Sequence, residues 1–235
     1  MIEVRGTGKR ALRDIILGVK DPRINIEFVP PNSSFVRAYQ TGAEIATLHY
    51  KVGTIGITFS NCRVNRMTVT CRAGDIMRVT AEILGSNIAA LASGCPWAGN
   101  EIETALHWIG TSVKVAPKSN PTVPVVNSKW HEWRYEIRNN IERLPYVDSK
   151  GTRSLELRHR EVNGLLVWDF EDMAEFTEFV GSDAEDKFYL QILEGANYML
   201  GSASGSLAQW GRLEAPHGPE DLILRRFPFT CIDIT

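Results

Sequence analysis

Apolar and polar residues alternate with a period of two over most of residues 45 to 85. The apolar side of this pattern comprises Ile55, Ile57, Phe59, Met67, Val69, Cys71, Met77, Val79, Ala81 and Ile83. Such alternation is typical of strands with one buried and one solvent-facing side. The block therefore predicts an antiparallel meander with short connections at residues 61–63 and 72–75.

Further strands are predicted on both sides of this block. They cover residues 24–28, part of 103–115, 133–137, 153–162, 188–192, 207–213 and the closing run LILRRFPFTCIDIT. Asn163–Gly164, between the strand 153–162 and LLVWDF, has the composition of a tight hairpin turn. The chain is expected to contain about nine to eleven strands, arranged as two packed sheets or a distorted barrel.

Two short helices are predicted. Leu12, Ile15, Ile16 and Val19 follow the i, i+3, i+4, i+7 spacing of an amphipathic helix. A second helix is predicted over 173–180, because Asp172 and Glu175 fit a capping box and Gly181 ends the pattern. The residues after Pro30–Pro31, to about residue 45, are interpreted as an irregular polar stretch.

Length and composition favour one globular domain over residues 1–235. The chain has 235 residues, of which 43% are hydrophobic and 23% charged, so it can bury a core without disulfides or metal. Residues 86–130 mix Gly, Ser and Pro with short apolar groups, and we interpret them as a long surface excursion with a binding role.

Charge and apolar runs exclude several classes of protein. The formal net charge of −2 lacks the basic excess of a dedicated nucleic-acid binder. No run of 18 apolar residues occurs, and charges flank the short apolar run near the N-terminus, so neither a membrane span nor a signal peptide is predicted.

No catalytic, cofactor or metal motif is present in the sequence. The five histidines form no HExxH or other metal-ligand spacing, and no GxSxG, Walker or strand-borne GxGxxG motif occurs. The four cysteines form no CxxC pair and are expected to be buried free thiols, with a disulfide as the alternative. The sequence thus predicts a protein that is not an enzyme and has no cofactor.

Two features allow other interpretations. Trp130, Trp133 and Trp168 could stack on sugars or bases, which would suit a carbohydrate- or nucleic-acid-binding β module. The acidic run from Asp169 to Asp186 could hold a hydrolase carboxylate pair. Core or interface aromatics and a solvated acidic face are the simpler interpretations.

The segment TFSNCRVNRMTVTCRAGDIMRVTAEILGSN resembles the strand–turn–strand core of tail tube proteins from long-tailed phages, which are related to tube proteins of contractile injection systems. The matching residues are Cys62, Val64, Asn65, Gly74, Asp75, Glu82, Leu84 and Gly85. RYEIRNNIERLPYVDSKGTRSLELRHREVNGLLVWDF resembles that family's Asn-containing strand, its loop and its Arg-Glu-Val-x-Gly hairpin, here at residues 160–164. EDLILRRFPFTCI resembles the family's closing pattern. Asn61 stands where that family usually has Gly, and residues 116–129 look like an insertion.

This resemblance implies a two-sheet β sandwich with one flanking α-helix. Six copies are expected to form a ring by joining their sheets into an inner barrel, and the rings to stack into a tube for genome delivery. Implied partners are further copies of the chain, tape-measure, tail-terminator and baseplate proteins, a sheath in contractile tails, and double-stranded DNA passing through the lumen. The implied location is the virion tail, assembled in the host cytoplasm.

Under the same resemblance, the polar side of the meander is a candidate channel wall or outer surface. These positions are Arg66, Thr68, Thr70, Arg72, Arg78, Thr80 and Glu82. The meander from Ile55 to Gly85 and the hairpin at Asn163–Gly164 are expected in the sheet between subunits. The excursion 86–130 is expected in contacts between rings.

Overall fold

The computed structural model describes residues 2–5, 12–16, 22–30, 32–52, 55–90, 106–117, 125–127, 129–145, 152–169, 187–202, 205–211 and 224–232. These residues form a mainly β protein with one α-helix, α1 (Ser33–Gln40), and a single-turn 3-10 helix at Trp108–Gly110. The expected fold class is therefore confirmed.

Seventeen strands are found in the described residues, more than the sequence pattern predicts. They are β1 (Ile2–Arg5), β2 (Leu12–Ile16), β3 (Arg23–Phe28), β4 (Ile45–Val52), β5 (Ile55–Arg72), β6 (Arg78–Leu84), β7 (Asn87–Ala90), β8 (Thr111–Pro117), β9 (Val125–Asn127), β10 (Trp130–Arg138), β11 (Glu142–Pro145), β12 (Thr152–Glu156), β13 (Glu161–Asp169), β14 (Lys187–Glu194), β15 (Asn197–Leu200), β16 (Ser206–Trp210) and β17 (Leu224–Cys231).

One large antiparallel sheet contains thirteen of these strands. Its main order is β3-β6-β5-β10-β13-β17-β16-β14-β8-β9, with β15 beside β14 and with β4 and β7 beside β5. The pairs β1–β2 and β11–β12 form separate two-stranded sheets. Within the described ranges the large sheet does not close into a barrel, so its order ends at β3 and β9, which is compatible with a sandwich.

The core lies between two parts of this sheet. The helix α1 and the strands β8, β14 and β15 pack over the strands around β10. Tyr135 of β10 is fully buried, receives a hydrogen bond from Gln40 of α1 and donates one to the carbonyl of Met199 in β15 (3.4 Å). Cys71 of β5 lies 4.0 Å from the Thr111 hydroxyl of β8. The predicted alternation of buried and polar residues is confirmed in β5, β6 and β10.

The helix predicted from residue 12 is wrong over Leu12–Ile16, which forms β2 and pairs antiparallel with β1. Helical spacing in so short a segment is a weak preference that pairing with another strand overrides. The polar stretch before residue 45 instead contains α1. Val36 of this helix is fully buried, whereas the helix spans only eight residues, too short a segment for its pattern to be recognised in the sequence.

The predicted connection at residues 61–63 is also wrong, because β5 runs without interruption through it. Asn61 has φ 46°, a backbone conformation that favours Gly or Asn. The first half of β5 pairs with β4 and β7, and the second half pairs with β6 and β10. Asn61 thus marks the change of partners within one strand. The turn predicted at 72–75 is confirmed, with Gly74 at φ 87°.

Asn163–Gly164 is not a hairpin turn but part of β13, between β10 and β17. A Cβ atom at position 164 would lie 2.1 Å from the Phe229 Cζ and 2.7 Å from the Arg134 carbonyl oxygen. Gly164 is therefore explained by close packing against an aromatic ring, a use of glycine that local sequence does not distinguish from a turn.

Part of the predicted surface excursion 86–130 lies in the core. Residues 111–117 form β8, which pairs with β14, and Val113, Val115 and Ala116 are buried. Residues 91–105, 118–124 and 128 fall outside the described residues. The predicted helix at 173–180 and most of the acidic run 169–186 also lie outside them.

Candidate functional surface

All seven polar positions predicted from the meander lie on one face of the large sheet. Arg66, Thr68 and Thr70 of β5 lie opposite Glu82, Thr80 and Arg78 of β6. Arg72 lies opposite Glu132 of β10. Directly paired residues in an antiparallel sheet share a face, so the structure brings these side chains together.

The polar face extends far beyond these two strands. One row of directly paired, unburied residues crosses eight neighbouring strands: Glu27, Thr80, Thr68, Glu136, Asn163, Thr230, Gln209 and Lys187. At about 4.8 Å per strand, seven steps give a polar row about 34 Å long, measured along the sheet. We call this the polar row.

Ion pairs organise the charges on this face. Glu136 accepts hydrogen bonds from both Arg66 Nη2 and Arg138 Nε at 2.5 Å. Arg23 pairs with Glu82 at 2.9 Å. Longer pairs join Arg78 to Glu27 (3.5 Å) and Arg72 to Glu132 (3.9 Å). The side chains of this face are thereby fixed relative to one another, although each exposed pair adds little stability.

Arginine is in excess on the four strands from β3 to β10. The face carries the arginines Arg23, Arg66, Arg72, Arg78, Arg134 and Arg138 and the glutamates Glu27, Glu82, Glu132 and Glu136. Glu136 is shared by two arginines, and Arg134 makes no ion pair within the described part of the chain. The local surplus of positive charge is therefore two, despite the net charge of −2 for the whole chain.

Glu136 is held ionised by its partners. Burial opposes its ionisation, but the hydrogen bonds and charges of Arg66 and Arg138 outweigh that effect and hold the pKa of Glu136 below its usual range. Its side chain is only 12% exposed and is held by two arginines, so its position in the middle of the polar row is fixed.

The face is concave where β3, β6, β5 and β10 meet. An open depression of about 640 Å³ is lined by Arg23, Asn25, Arg66, Thr68, Thr70, Thr80, Glu82 and Arg134. Its hydroxyl groups, and its guanidinium groups whose charge is mostly neutralised by glutamates, can make many weak polar contacts with a polyanion. No residue of this lining is arranged as an activated nucleophile. The chemistry suits a polar wall better than a tight binding pocket.

Asn65, Asn139 and Arg160, from separate segments of the chain, meet at one buried polar junction. Asn139 is 1% exposed; its amide donates to the Val64 carbonyl (2.8 Å) and its side-chain oxygen accepts from Arg160 Nε (3.1 Å). Asn65 lies where the β5–β6 register shifts, and its side chain accepts from the Ile141 amide (3.0 Å). Arg160 also donates to the Thr41 carbonyl (2.7 Å).

The aromatic residues proposed for stacking are not available to a ligand. Trp133 and Trp168 are fully buried and Trp130 is 9% exposed. Trp133 stacks on Tyr135, and Trp168 packs edge-on against Trp210. These side chains form the core, so the structure lacks the exposed platform that a binding module would need at these positions.

The described cysteines are buried free thiols. Burial raises the pKa of Cys62 and Cys71 to about 11 and that of Cys231 to about 12. Such thiols are protonated and unreactive at neutral pH. Cys95 lies outside the described residues. In the part of the chain that is described, no three His, Cys, Asp or Glu residues form a group able to hold a metal ion.

Several residues of the polar face were missed by the sequence analysis, chiefly Arg134, Glu136 and Arg138 of β10 and Arg23 and Asn25 of β3. Their signal was the polar half of the alternation around Trp133. Local sequence does not show that β10 lies beside β5, about seventy residues earlier in the chain.

No protein-family model and no curated protein matches this chain in sequence. Among the described residues, none of the helical segments has the length and apolar character needed to cross a bilayer.

Proposed function

We propose that this chain is the structural subunit of a tail-tube-type assembly, in which copies join side by side into rings and the rings stack around a channel for DNA. The observation that carries the proposal is the polar row, which crosses eight strands while the opposite face of the same strands forms the core. A broad, ordered polar face without a catalytic constellation suits a channel wall. On this proposal the seven meander positions line the lumen.

The open sheet gives the proposal a second support. Unpaired strand edges invite pairing with another chain, and proteins protect or use them. The order of the large sheet ends at β3 and β9 in the described residues. Pairing between the edges of neighbouring copies in a closed ring would satisfy these backbone groups and join the polar rows into one continuous wall.

The polar junction is a third support. It explains why separated segments of the chain carry the resemblance together, because Asn65, Asn139 and Arg160 are bonded parts of one structure. Asn61 adopts a conformation that glycine favours, at the position where the tail tube proteins usually have Gly. The partners expected are therefore those of a tail tube, in a virion.

Assembly can be tested directly on the purified chain. Light scattering coupled to size exclusion should show a ring-sized species whose fraction rises with concentration, and negative-stain images should show annular particles with a central hole. Because tube subunits can require an initiator, the series should extend to the highest soluble concentration. A chain that stays monomeric throughout that series would count strongly against the proposal.

A further inference from the structure

Two exposed apolar features lie at opposite ends of the central strands. The first is the 3-10 turn at Trp108–Ile109, which we call the apolar tip; Trp108 is 37% and Ile109 78% exposed. The Trp108 amide donates to the Asp75 carbonyl (3.3 Å), and the Gly195 amide donates to the Gly110 carbonyl (2.8 Å). The tip is therefore held against the β5–β6 turn by backbone hydrogen bonds.

The second feature is a small depression, which we call the end pocket. It has a volume of about 250 Å³ and is lined by Asn139, Leu157, Arg158, Arg160 and Ile232. Leu157 and Ile232 are 42% and 50% exposed. The pocket lies where β10 and β17 end and β13 begins, and its wall is the polar junction around Asn139.

The register of the sheet places the two features apart. β10 runs antiparallel to β5, so that Glu132 lies opposite Arg72 near the tip and Arg138 lies opposite Arg66 near the pocket. Six residues at about 3.3 Å each separate the two levels by about 20 Å. A tip and a pocket on opposite ends of one molecule cannot contact each other, but they can connect successive molecules in a row.

The size and charge of the pocket fit the tip. Its volume is below the roughly 300–1,000 Å³ of pockets that hold small molecules, so a few side chains fill it. Arg160 in the pocket has no carboxylate partner in the described ranges, and Asp75 beside the tip has no cationic one there. Arg160 and Asp75 thus have opposite charges with no ion-pair partner among the described residues, and each lies near exposed apolar side chains, Leu157 and Ile232 or Trp108 and Ile109, which favours one orientation of contact.

We propose that the apolar tip of one copy inserts into the end pocket of the next copy, so that rings stack head to tail. The contact is heterologous: each copy offers one tip and accepts another, which leaves the interface able to continue along an axis. This inference rests on the proposed function, because it assigns the contact between its rings. It also gives the segment 86–130 a specific contact residue, Ile109.

Complementary variants test the contact. Ile109→Asp places a charge on the tip, and Ile232→Asp places one in the pocket; Ile109→Leu and Ile232→Leu are the matched controls. Negative-stain imaging with sedimentation should show multi-ring stacks for the wild type and controls. Each Asp variant alone should give single rings. An equimolar mixture should give pairs of rings, because one intact tip and one intact pocket remain.

The outcomes separate this inference from the proposed function. Stacks of wild-type length from either Asp variant, or a mixture that stays as single rings, overturn the tip-and-pocket contact. If the wild type forms head-to-tail chains but no rings, and these chains require Ile109, the proposed ring is wrong and the tip-and-pocket contact stands. If the wild type forms neither rings nor stacks, both proposals are wrong. Circular dichroism and thermal midpoints check folding, and Ile109→Ser and Ile232→Ser replace any Asp variant that unfolds.

Discussion

The two faces of the central sheet are built from the same strands, but the side chains on one face are constrained by packing and those on the other are not. One residue along from the polar row, a row of buried and partly buried residues, here called the buried row, crosses the sheet in register: Phe28, Val79, Val69, Tyr135, Gly164, Phe229 and Trp210. In the buried row the size of each side chain depends on its neighbour, as Gly164 does on Phe229. In the polar row no residue is fully buried, and Glu27 and Glu136 take part in ion pairs with arginines beside the row. Substitutions should therefore damage folding on one face and assembly on the other.

The largest effect on stability is expected for Gly164→Val. Its Cβ would overlap the Phe229 ring and approach the Arg134 carbonyl, and overpacking of this kind costs about 3 kcal/mol or prevents folding. Urea unfolding measures the loss in free energy. Asn163→Ala, on the opposite face of the same strand, is the control and should cost less than about 1 kcal/mol. Equal losses from the two changes would contradict the contrast between the faces.

Tyr135→Phe should have the next largest effect. It removes a fully buried hydroxyl that bonds Gln40 and the Met199 carbonyl, and it leaves the Gln40 amide without that partner. The expected loss is about 1–3 kcal/mol in the free energy of unfolding. The double variant Tyr135→Phe with Gln40→Leu should recover part of this loss, because both polar partners are then removed. Additive losses in that cycle would show that the bond does not matter.

Glu136→Gln should change the pH dependence of stability. The pKa of Glu136 is lower in the folded chain than the unfolded value of about 4.3, so its contribution is present above that value and is lost as pH falls through the folded pKa. As pH falls from 7 through the folded pKa, the wild type should lose up to about 1 kcal/mol more than the variant, which has no carboxylate to protonate at this position. Glu27→Gln, at an exposed carboxylate, should behave like the wild type. Parallel pH curves for wild type and Glu136→Gln would contradict the role of the two arginines.

Arg134→Ala should have the smallest effect on stability. Its side chain is exposed and makes no ion pair with the described residues, so the free energy of unfolding should change by less than about 0.5 kcal/mol. Thermal unfolding at low protein concentration measures this without interference from assembly. A loss above 1 kcal/mol would mean that the polar face also supports the fold.

Sequence predicted this fold best where pattern and pairing are local. The alternation in β5 and β6 and the turn at Gly74 follow from period-two sequence and a short connection. The pairing of β10 with β5 and of β13 with β17 could not be predicted, because the two partners of each pair are distant in the chain and any strand with one apolar side would fit. Gly164 led to the wrong prediction of a turn, because glycine is favoured both in turns and at crowded positions in a core.

The candidate site was predicted in part for the same reason. The seven meander positions lie together because they belong to adjacent strands, but Glu136, which holds Arg66 and Arg138, comes from a distant segment. The apolar tip and the end pocket are formed only by tertiary structure, so local sequence could not predict them. Ile109 and Ile232 have no sequence feature that distinguishes an exposed isoleucine from a buried one.

A cryo-electron microscopy reconstruction of the assembled particle would show whether the polar row lines the lumen of a ring of copies. We expect a closed ring in which Thr68, Thr80 and Glu136 face the central channel and neighbouring copies join at the edges of the large sheet. A ring with the polar row on its outer surface, or an assembly without a central channel, would contradict it.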